Sequence, residues 1–202
     1  MSESSHLGKP VFAEPSPMGL ICLAIGCAAL VPISFGDALT PAGLRTAAMY
    51  CLFFGAGGQF LAGVMSLANH NLFGGTLFTA FAFNWLMNWW VLRELAAGTV
   101  PDHAVITAVD AIFLVIFLAM TYGFGFFSKV LLLFLLDIDI IYAFRLANAA
   151  LATQAFTIPI GVGVVCLALL SLWIAFGMLL NPLAGRAIFP LGGPAWTGRR
   201  AE

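Results

Sequence analysis

Two aspartates and an arginine stand in an otherwise apolar run, residues 134–145, which reads FLLDIDIIYAFR. The carboxylates of Asp137 and Asp139 are suited to carrying a proton, and the guanidinium of Arg145 is suited to holding an anion. Because a helix turns by about 100° per residue, the two aspartates point about 160° apart and cannot face the same space. Asp137 and Arg145 lie about 12 Å apart along the helix axis, so each needs another partner, water or, for the aspartate, a proton.

The composition of the chain indicates where this run lies. Of the 202 residues, 62% are hydrophobic and only 8% are charged, and the mean hydropathy is +1.03. A soluble domain carries about 25% charged residues, so this chain has too few to cover a surface in water. The net charge of −1 provides no basic field that would attract nucleic acid. The sequence therefore predicts an integral membrane protein.

Six apolar segments are long enough to cross a bilayer, which takes about 20 residues. They are 18–35, 44–68, 73–96, 104–127, the stretch from just after Lys129 to 151, and 158–180. The runs are continuous rather than alternating, which favours helices over strands, because a helix satisfies its own backbone in lipid. The connecting loops are short, so we expect an all-α protein with six transmembrane helices in one compact bundle. Residues 1–17 then form an N-terminal tail, 18–180 the transmembrane domain and 181–202 a C-terminal tail.

The positions of lysine and arginine predict the orientation. With six spans, both termini and two of the loops lie on the same side of the membrane. That side carries five cations, which are Lys9, Lys129, Arg186, Arg199 and Arg200. The opposite side carries Arg45 and Arg93. Because cytoplasmic loops are enriched in cations, we expect both termini in the cytoplasm and the chain in an inner or plasma membrane.

Polar side chains at membrane depth on the second and third segments could replace water around a solute. Thr76, Asn84 and Asn88 are spaced eight and four residues apart, which predicts one polar stripe along the third helix. The two asparagines could instead hydrogen-bond each other or a neighbouring helix. Gln59 on the second segment is a weaker candidate for the same path.

The ionisable residues of the fifth segment are candidates for function, because a charge at the bilayer centre costs at least about 2.5–3.5 kcal/mol. Asp137 and Asp139 are both candidates for a proton relay or a solute path. Asp137 is the stronger candidate, because Asp139 faces elsewhere, toward another helix or subunit. Either could also serve as an inter-helix contact. Arg145 is close enough to the segment's end for its head to reach the interface, or it could belong to an ion pair. The sequence contains no metal-ligand spacing, nucleophile elbow or phosphate loop, so we expect no enzyme activity, metal or cofactor.

Four stretches of the chain, in order, carry recognisable patterns: 14–20 (EPSPMGL), 55–59 (GAGGQ), 71–81 (NLFGGTLFTAF) and 180–192 (LNPLAGRAIFPLG). They resemble signatures of the acetate/succinate uptake transporter family (AceTr). The corresponding family patterns are an opening Asn-Pro-Ala-Pro-Leu-Gly-Leu, Gly-Gly-x-x-Gln, Asn-Thr-Phe-Gly at the third helix, and a closing Leu-Asn…Gly-Arg…Pro-Ile-Gly. The resemblance covers about residues 13–193.

The resemblance implies a hexameric ring in which each subunit has its own path for acetate and related short carboxylates. Passage would be proton-coupled or channel-like. It also implies a hydrophobic constriction at Leu23, Phe81 and Ile138, where the family has an aromatic residue, a tyrosine and a leucine. This chain departs from the family at Glu14, which replaces asparagine, and at the two aspartates that flank Ile138.

Together with this resemblance, the sequence predicts a membrane transporter or channel for acetate and related short carboxylates such as succinate, which is proton-coupled or favours acid conditions. One alternative keeps the fold and changes the solute to a small neutral or cationic one, such as urea or ammonium. Another is a membrane sensor or assembly subunit without transport. The expected partners are the carboxylate, protons, the lipid bilayer and further copies of the chain, with no nucleic acid.

Overall fold

The computed structural model describes residues 10–197, and this part of the chain is helical with no strand. Three of the five cations used to predict the orientation, Lys9, Arg199 and Arg200, lie outside the described residues. The outer parts of both predicted tails lie outside them as well.

Within the described residues, seven α-helices and one π-helix follow one another. They are α1 (Ser16–Ser34), α2 (Pro41–Tyr50), the π-helix (Cys51–Gly58), α3 (Gln59–Ala68), α4 (Leu72–Ala96), α5 (His103–Phe124), α6 (Lys129–Ala150) and α7 (Thr157–Ala184). Because α2, the π-helix and α3 are continuous, the described chain forms six helical stretches close to the predicted segments.

Four of these stretches are long and apolar enough to cross a membrane. They are Ser16–Ser34, Pro41–Ala68, His103–Phe124 and Thr157–Ala184. The other two, α4 and α6, are of similar length but carry the asparagines, aspartates and arginines singled out in the sequence. These two helices hold most of the candidate site.

Side chains in the loops determine where several helices begin. The Thr40 hydroxyl accepts a hydrogen bond from Gly43 N, and Asn71 and Asp102 accept from the backbone three residues ahead. The Ser128 hydroxyl accepts from Val130 N. Such caps satisfy backbone donors that have no partner inside the helix. At its C-terminal end, α7 stops before Gly185, whose φ of 63° suits glycine.

The bundle is built around α1, which packs against α7, α2, the π-helix and α3. In turn, α4 packs on α3, and α6 packs on both α5 and α7. Small residues allow the closest approaches: a Cβ at Gly63 would lie 2.6 Å from Thr79 Cγ2, and one at Gly19 would lie 2.6 Å from Phe78 Cε1. Glycines at such positions let helix backbones come together where lipid provides little driving force. This supports a packing role for the small residues of the second segment.

The described part of the C-terminal segment folds back onto the bundle. The Ser128 hydroxyl donates a hydrogen bond of 2.6 Å to the Leu191 carbonyl, and the Trp196 indole donates one of 3.1 Å to the Tyr122 carbonyl. Asn181 holds the turn by accepting from the backbone of Ile188. This segment therefore covers the junction of α5 and α6.

Candidate functional site

A cavity of about 210 Å³, here called the outer cavity, opens at the end of the bundle where α1 and α4 begin. Apolar side chains line most of it, among them Leu20, Leu77, Phe78, Leu131, Phe134 and Met178. The exposed Glu14 stands at its rim and accepts hydrogen bonds from the backbone and hydroxyl of Ser16. A small solute that enters from this end meets one carboxylate and then an apolar wall.

A second cavity of about 80 Å³, the inner cavity, lies further along α4 and α6. Its wall includes Asn84, Asn88, Tyr142 and Arg145 beside apolar residues of α1 and α7. Its polar side chains distinguish it from the outer cavity, where most of the lining is apolar.

The three residues of the predicted constriction lie between these cavities. Leu23 lines the outer cavity, Ile138 lines the inner cavity, and Phe81 lines both. All three are buried, with exposed fractions of 1%, 1% and 5% respectively. The Phe81 ring stacks on Phe117 of α5, with ring centroids 4.8 Å apart. An apolar layer thus separates two spaces on either side of the middle of the bundle.

Gln59 is buried beside the outer cavity, directly after the π-helix. Neither its amide nitrogen nor its amide oxygen has a hydrogen-bond partner among the described residues. Most buried polar groups in proteins are paired, so an unpaired amide at a cavity wall is a candidate ligand-binding group. One amide can donate to and accept from a carboxylic acid.

The predicted stripe on α4 is only partly present. Asn88 donates a hydrogen bond of 3.2 Å to Asn84 Oδ1, and Asn84 donates one of 2.7 Å to the Tyr142 hydroxyl. Thr76, in contrast, lies on the exposed side of the helix. Each step of four residues along a helix exceeds a full turn by about 40°. Thr76 and Asn88 are twelve residues apart, so their side chains point about 120° apart around the helix axis. The structure therefore keeps the two asparagines together and separates Thr76 from them.

The two aspartates of α6 lie in different surroundings, as the helical rotation predicted. Asp139 is buried against α5 and accepts a hydrogen bond of 2.7 Å from the Thr121 hydroxyl. Asp137 faces α7, where a Cβ at Gly163 would lie 3.6 Å from its Oδ1. The Oδ2 atom of Asp137 is buried without a hydrogen-bond partner among the described residues. Neither aspartate lines the outer or the inner cavity within this part of the chain.

Arg145 is paired with a residue that the sequence reasoning missed. Its Nη2 lies 2.9 Å from Oδ2 of Asp110 on α5, and its guanidinium lies 5.2 Å from the centre of the Tyr142 ring. The signal for Asp110 was present, because it is the single acidic residue in the apolar run of α5. Thr121 and Tyr142 were also missed, and only their tertiary contacts reveal their roles.

Comparisons with known proteins agree with the fold and with the motifs. No protein-family profile matches the chain. The chain is 25% identical over 205 residues to the succinate-acetate/proton symporter SatP of Escherichia coli K12 and to that of Shigella flexneri, with 92% of this chain and 98% of each relative covered. The solved structure of the bacterial acetate channel SatP superposes with a TM-score of 0.80 at 23% identity, over 90% of this chain and 99% of that one.

The resemblance to the acetate uptake transporter family is confirmed. The relatives are named as a symporter and a channel rather than as enzymes. Together with the four apolar helices, the match supports an integral membrane location.

We predict that Thr121→Val destabilises the protein, because Asp139 loses its hydrogen-bond donor while remaining buried. The free energy of unfolding should fall by about 1–3 kcal/mol. Thr121→Ser, which keeps the hydroxyl, is the matched control and should be close to wild type. Unfolding of the purified protein in detergent measures both variants, and equal stability of Thr121→Val and wild type would contradict a structural role for this hydrogen bond.

Proposed function

We propose that this chain carries acetate and related short carboxylates, including succinate, across a membrane. The observation that supports this most directly is the pair of cavities on either side of Phe81 within one subunit. An apolar layer between two cavities is the arrangement expected of a narrow solute path, and a larger share of the wall is polar in the inner cavity than in the outer one. The names of the relatives point to the same class of solute.

The proposed path runs from Glu14 at the rim, past Gln59, through the apolar layer and into the inner cavity. The free amide of Gln59 would hydrogen-bond the carboxyl group before it loses its remaining water. Because the layer of Leu23, Phe81 and Ile138 offers no polar partner, it favours a solute that sheds water readily, such as a protonated acid. Asn84 would then meet the solute on the far side.

We further propose that all six helical stretches cross the membrane, with both termini in the cytoplasm, and that six subunits form a ring. The polar residues of α4 and α6 that line cavities or bond to each other would then be shielded from lipid by the more apolar helices. Large apolar side chains are exposed on the outside of the subunit, including Phe53, Phe83 and Ile112. Such a surface suits lipid and neighbouring subunits.

The carboxylate of Glu14 favours a second candidate function, passage of a small neutral or cationic solute. A negative charge at the rim of the outer cavity would repel an anion while leaving a neutral solute unaffected. A protonated acid is also uncharged and would not be repelled by Glu14. The two candidate functions therefore differ only in whether the solute is a carboxylic acid or another small neutral or cationic molecule.

We predict that the purified chain in proteoliposomes carries labelled acetate faster than urea, ammonium or glycerol. Acetate flux should rise as the pH falls, because protonation removes the charge that the apolar layer excludes. Flux through protein-free vesicles is subtracted, since acetic acid also crosses lipid. Phe81→Trp, which narrows the layer, should reduce acetate flux several-fold. A chain that carries urea or ammonium but not acetate would overturn the carboxylate assignment.

A proton relay through Asp137 is the proposed basis of coupling. Asp137 and Asp139 each have one buried oxygen without a partner among the described residues, but the other oxygen of Asp139 is held by Thr121. Asp137→Asn should abolish acetate accumulation driven by a pH gradient and leave downhill acetate exchange largely intact. Asp139→Asn is the matched control, because its amide oxygen can still accept from Thr121 and uptake should persist. Unchanged acid-driven uptake in Asp137→Asn would exclude the relay role.

A further inference from the structure

A cluster of five polar residues lies where α4, α5 and α6 meet, and we call it the arginine cluster. Its members are Asn84, Asn88, Asp110, Tyr142 and Arg145. Arg145 and both asparagines line the inner cavity and also a small cavity of about 30 Å³ between α4 and α5. Asp110 lines only the small cavity, and Tyr142 lines only the inner one. The guanidinium therefore stands between a fixed carboxylate on one side and an empty space on the other.

We propose that Arg145 binds the carboxylate of the transported solute in the inner cavity and that Asp110 competes with the solute for the guanidinium. This inference rests on the proposed function and adds to it the group that holds the anion, after the acid has crossed the apolar layer and released its proton to water on the far side. The carboxylate of Asp110 shows which chemistry fits the guanidinium, because it already makes the contact that the carboxylate of a solute would make.

The available donors support this assignment. A guanidinium carries five N–H donors, and the contact with Asp110 is made through Nη2. The side chain of Arg145 is 32% exposed, against 10% for Asp110, so part of the guanidinium remains accessible. The Tyr142 hydroxyl accepts from Asn84, which leaves its own proton free to donate to another acceptor. Arg145 and Tyr142 are three residues apart on one face of α6, and both line the inner cavity.

Asp110 explains how such a site can still release its solute. A free arginine that holds a carboxylate by two charge-assisted hydrogen bonds would bind tightly, and conduction requires that a solute can also leave. By occupying part of the guanidinium and neutralising its charge, Asp110 weakens the capture of a second carboxylate. The pair also keeps the arginine from lying unpaired when the cavity is empty, which would be costly in an apolar bundle.

The simpler interpretation is an ion pair that only holds α5 to α6. The two interpretations differ in what happens when both charges are removed. A structural pair is replaced without loss of selectivity by a neutral pair, because neither residue is left unpaired. A recognition residue is not replaced, because the solute loses its cationic partner whether or not the helices still pack.

The test uses wild type, Arg145→Gln, Asp110→Asn and the double variant in proteoliposomes. The readouts are the KM for acetate and the ratio of acetate flux to flux of acetamide, its neutral isostere. This ratio is insensitive to the amount of folded protein, because both solutes are measured in the same preparation. Arg93→Gln is the matched control, since Arg93 is exposed above Trp89 on α4 and lies 5.6 Å from the centre of that ring.

We expect Arg145→Gln and the double variant to lower the acetate-to-acetamide ratio by about tenfold, the usual effect of losing a hydrogen bond to a charged group. Asp110→Asn should lower both the KM for acetate and the maximal rate, because the solute is held more tightly. Arg93→Gln should leave the ratio unchanged. The double variant supports the test even where Arg145→Gln fails to fold, because it leaves no buried charge unpaired.

A wild-type ratio in the double variant would overturn the recognition role of Arg145, and an unchanged KM in Asp110→Asn would overturn the competition by Asp110. Both outcomes differ from a failure of the proposed function, because in a failure of the proposed function the wild-type chain itself carries no acetate.

Discussion

Polar groups inside an apolar bundle must find partners within the protein, and this constraint organises the centre of the molecule. An unpaired buried charge or amide costs several kcal/mol, and lipid offers no partner. Arg145 pairs with Asp110, and Asp139 pairs with Thr121. These contacts tie α5 to α6, while the hydrogen bond from Asn84 to the Tyr142 hydroxyl ties α4 to α6. The helices that carry the polar residues are therefore held together by them.

Not every buried polar group follows this rule. Within the described residues, the hydroxyl of Ser66, the indole nitrogen of Trp85, the Gln59 amide and one oxygen each of Asp137 and Asp139 are buried without a hydrogen-bond partner. Gln59 lies at the wall of the outer cavity, where a solute could satisfy it. Asp137 lies one residue before Ile138 and faces Gly163 of α7, and within the described residues it lines neither cavity. We interpret the Gln59 amide as a position for the solute and Asp137 as a position for a proton.

Close helix packing makes the apolar layer possible. Gly19 on α1 allows Phe78 of α4 to approach, and Gly55 in the π-helix leaves room for Trp85. The first contact brings α4 to α1 and the second brings α4 to the π-helix, and Leu23 and Phe81 lie on the same cavity wall. Larger residues at the glycines would push the helices apart and open the layer, so helix packing and the proposed selectivity depend on the same residues.

The sequence predicts the general architecture well because apolar composition and the length of apolar runs depend directly on whether a segment lies in lipid or in water. The helical content and the loop positions followed from the apolar runs and from the short stretches between them. Helical rotation also separated Asp137 from Asp139 correctly. The predicted stripe wrongly included Thr76, because positions spaced by four residues shift by about 40° around the helix at each step. Asp110 stood out as the single acidic residue in the apolar run of α5, but its partner Arg145 lies on another helix, and no local pattern reveals that contact.

The central claim is that the solute passes through the two cavities of one subunit, and chemical blocking of the outer cavity tests it most directly. In a chain whose native cysteines are replaced by alanine, Leu77→Cys places a thiol on the cavity wall. Leu183→Cys places one on the exposed end of α7, as a control. A membrane-impermeant methanethiosulfonate should stop acetate flux in proteoliposomes made with Leu77→Cys and leave Leu183→Cys active, and excess acetate should slow the block. Full acetate flux through completely modified Leu77→Cys would contradict the proposed path.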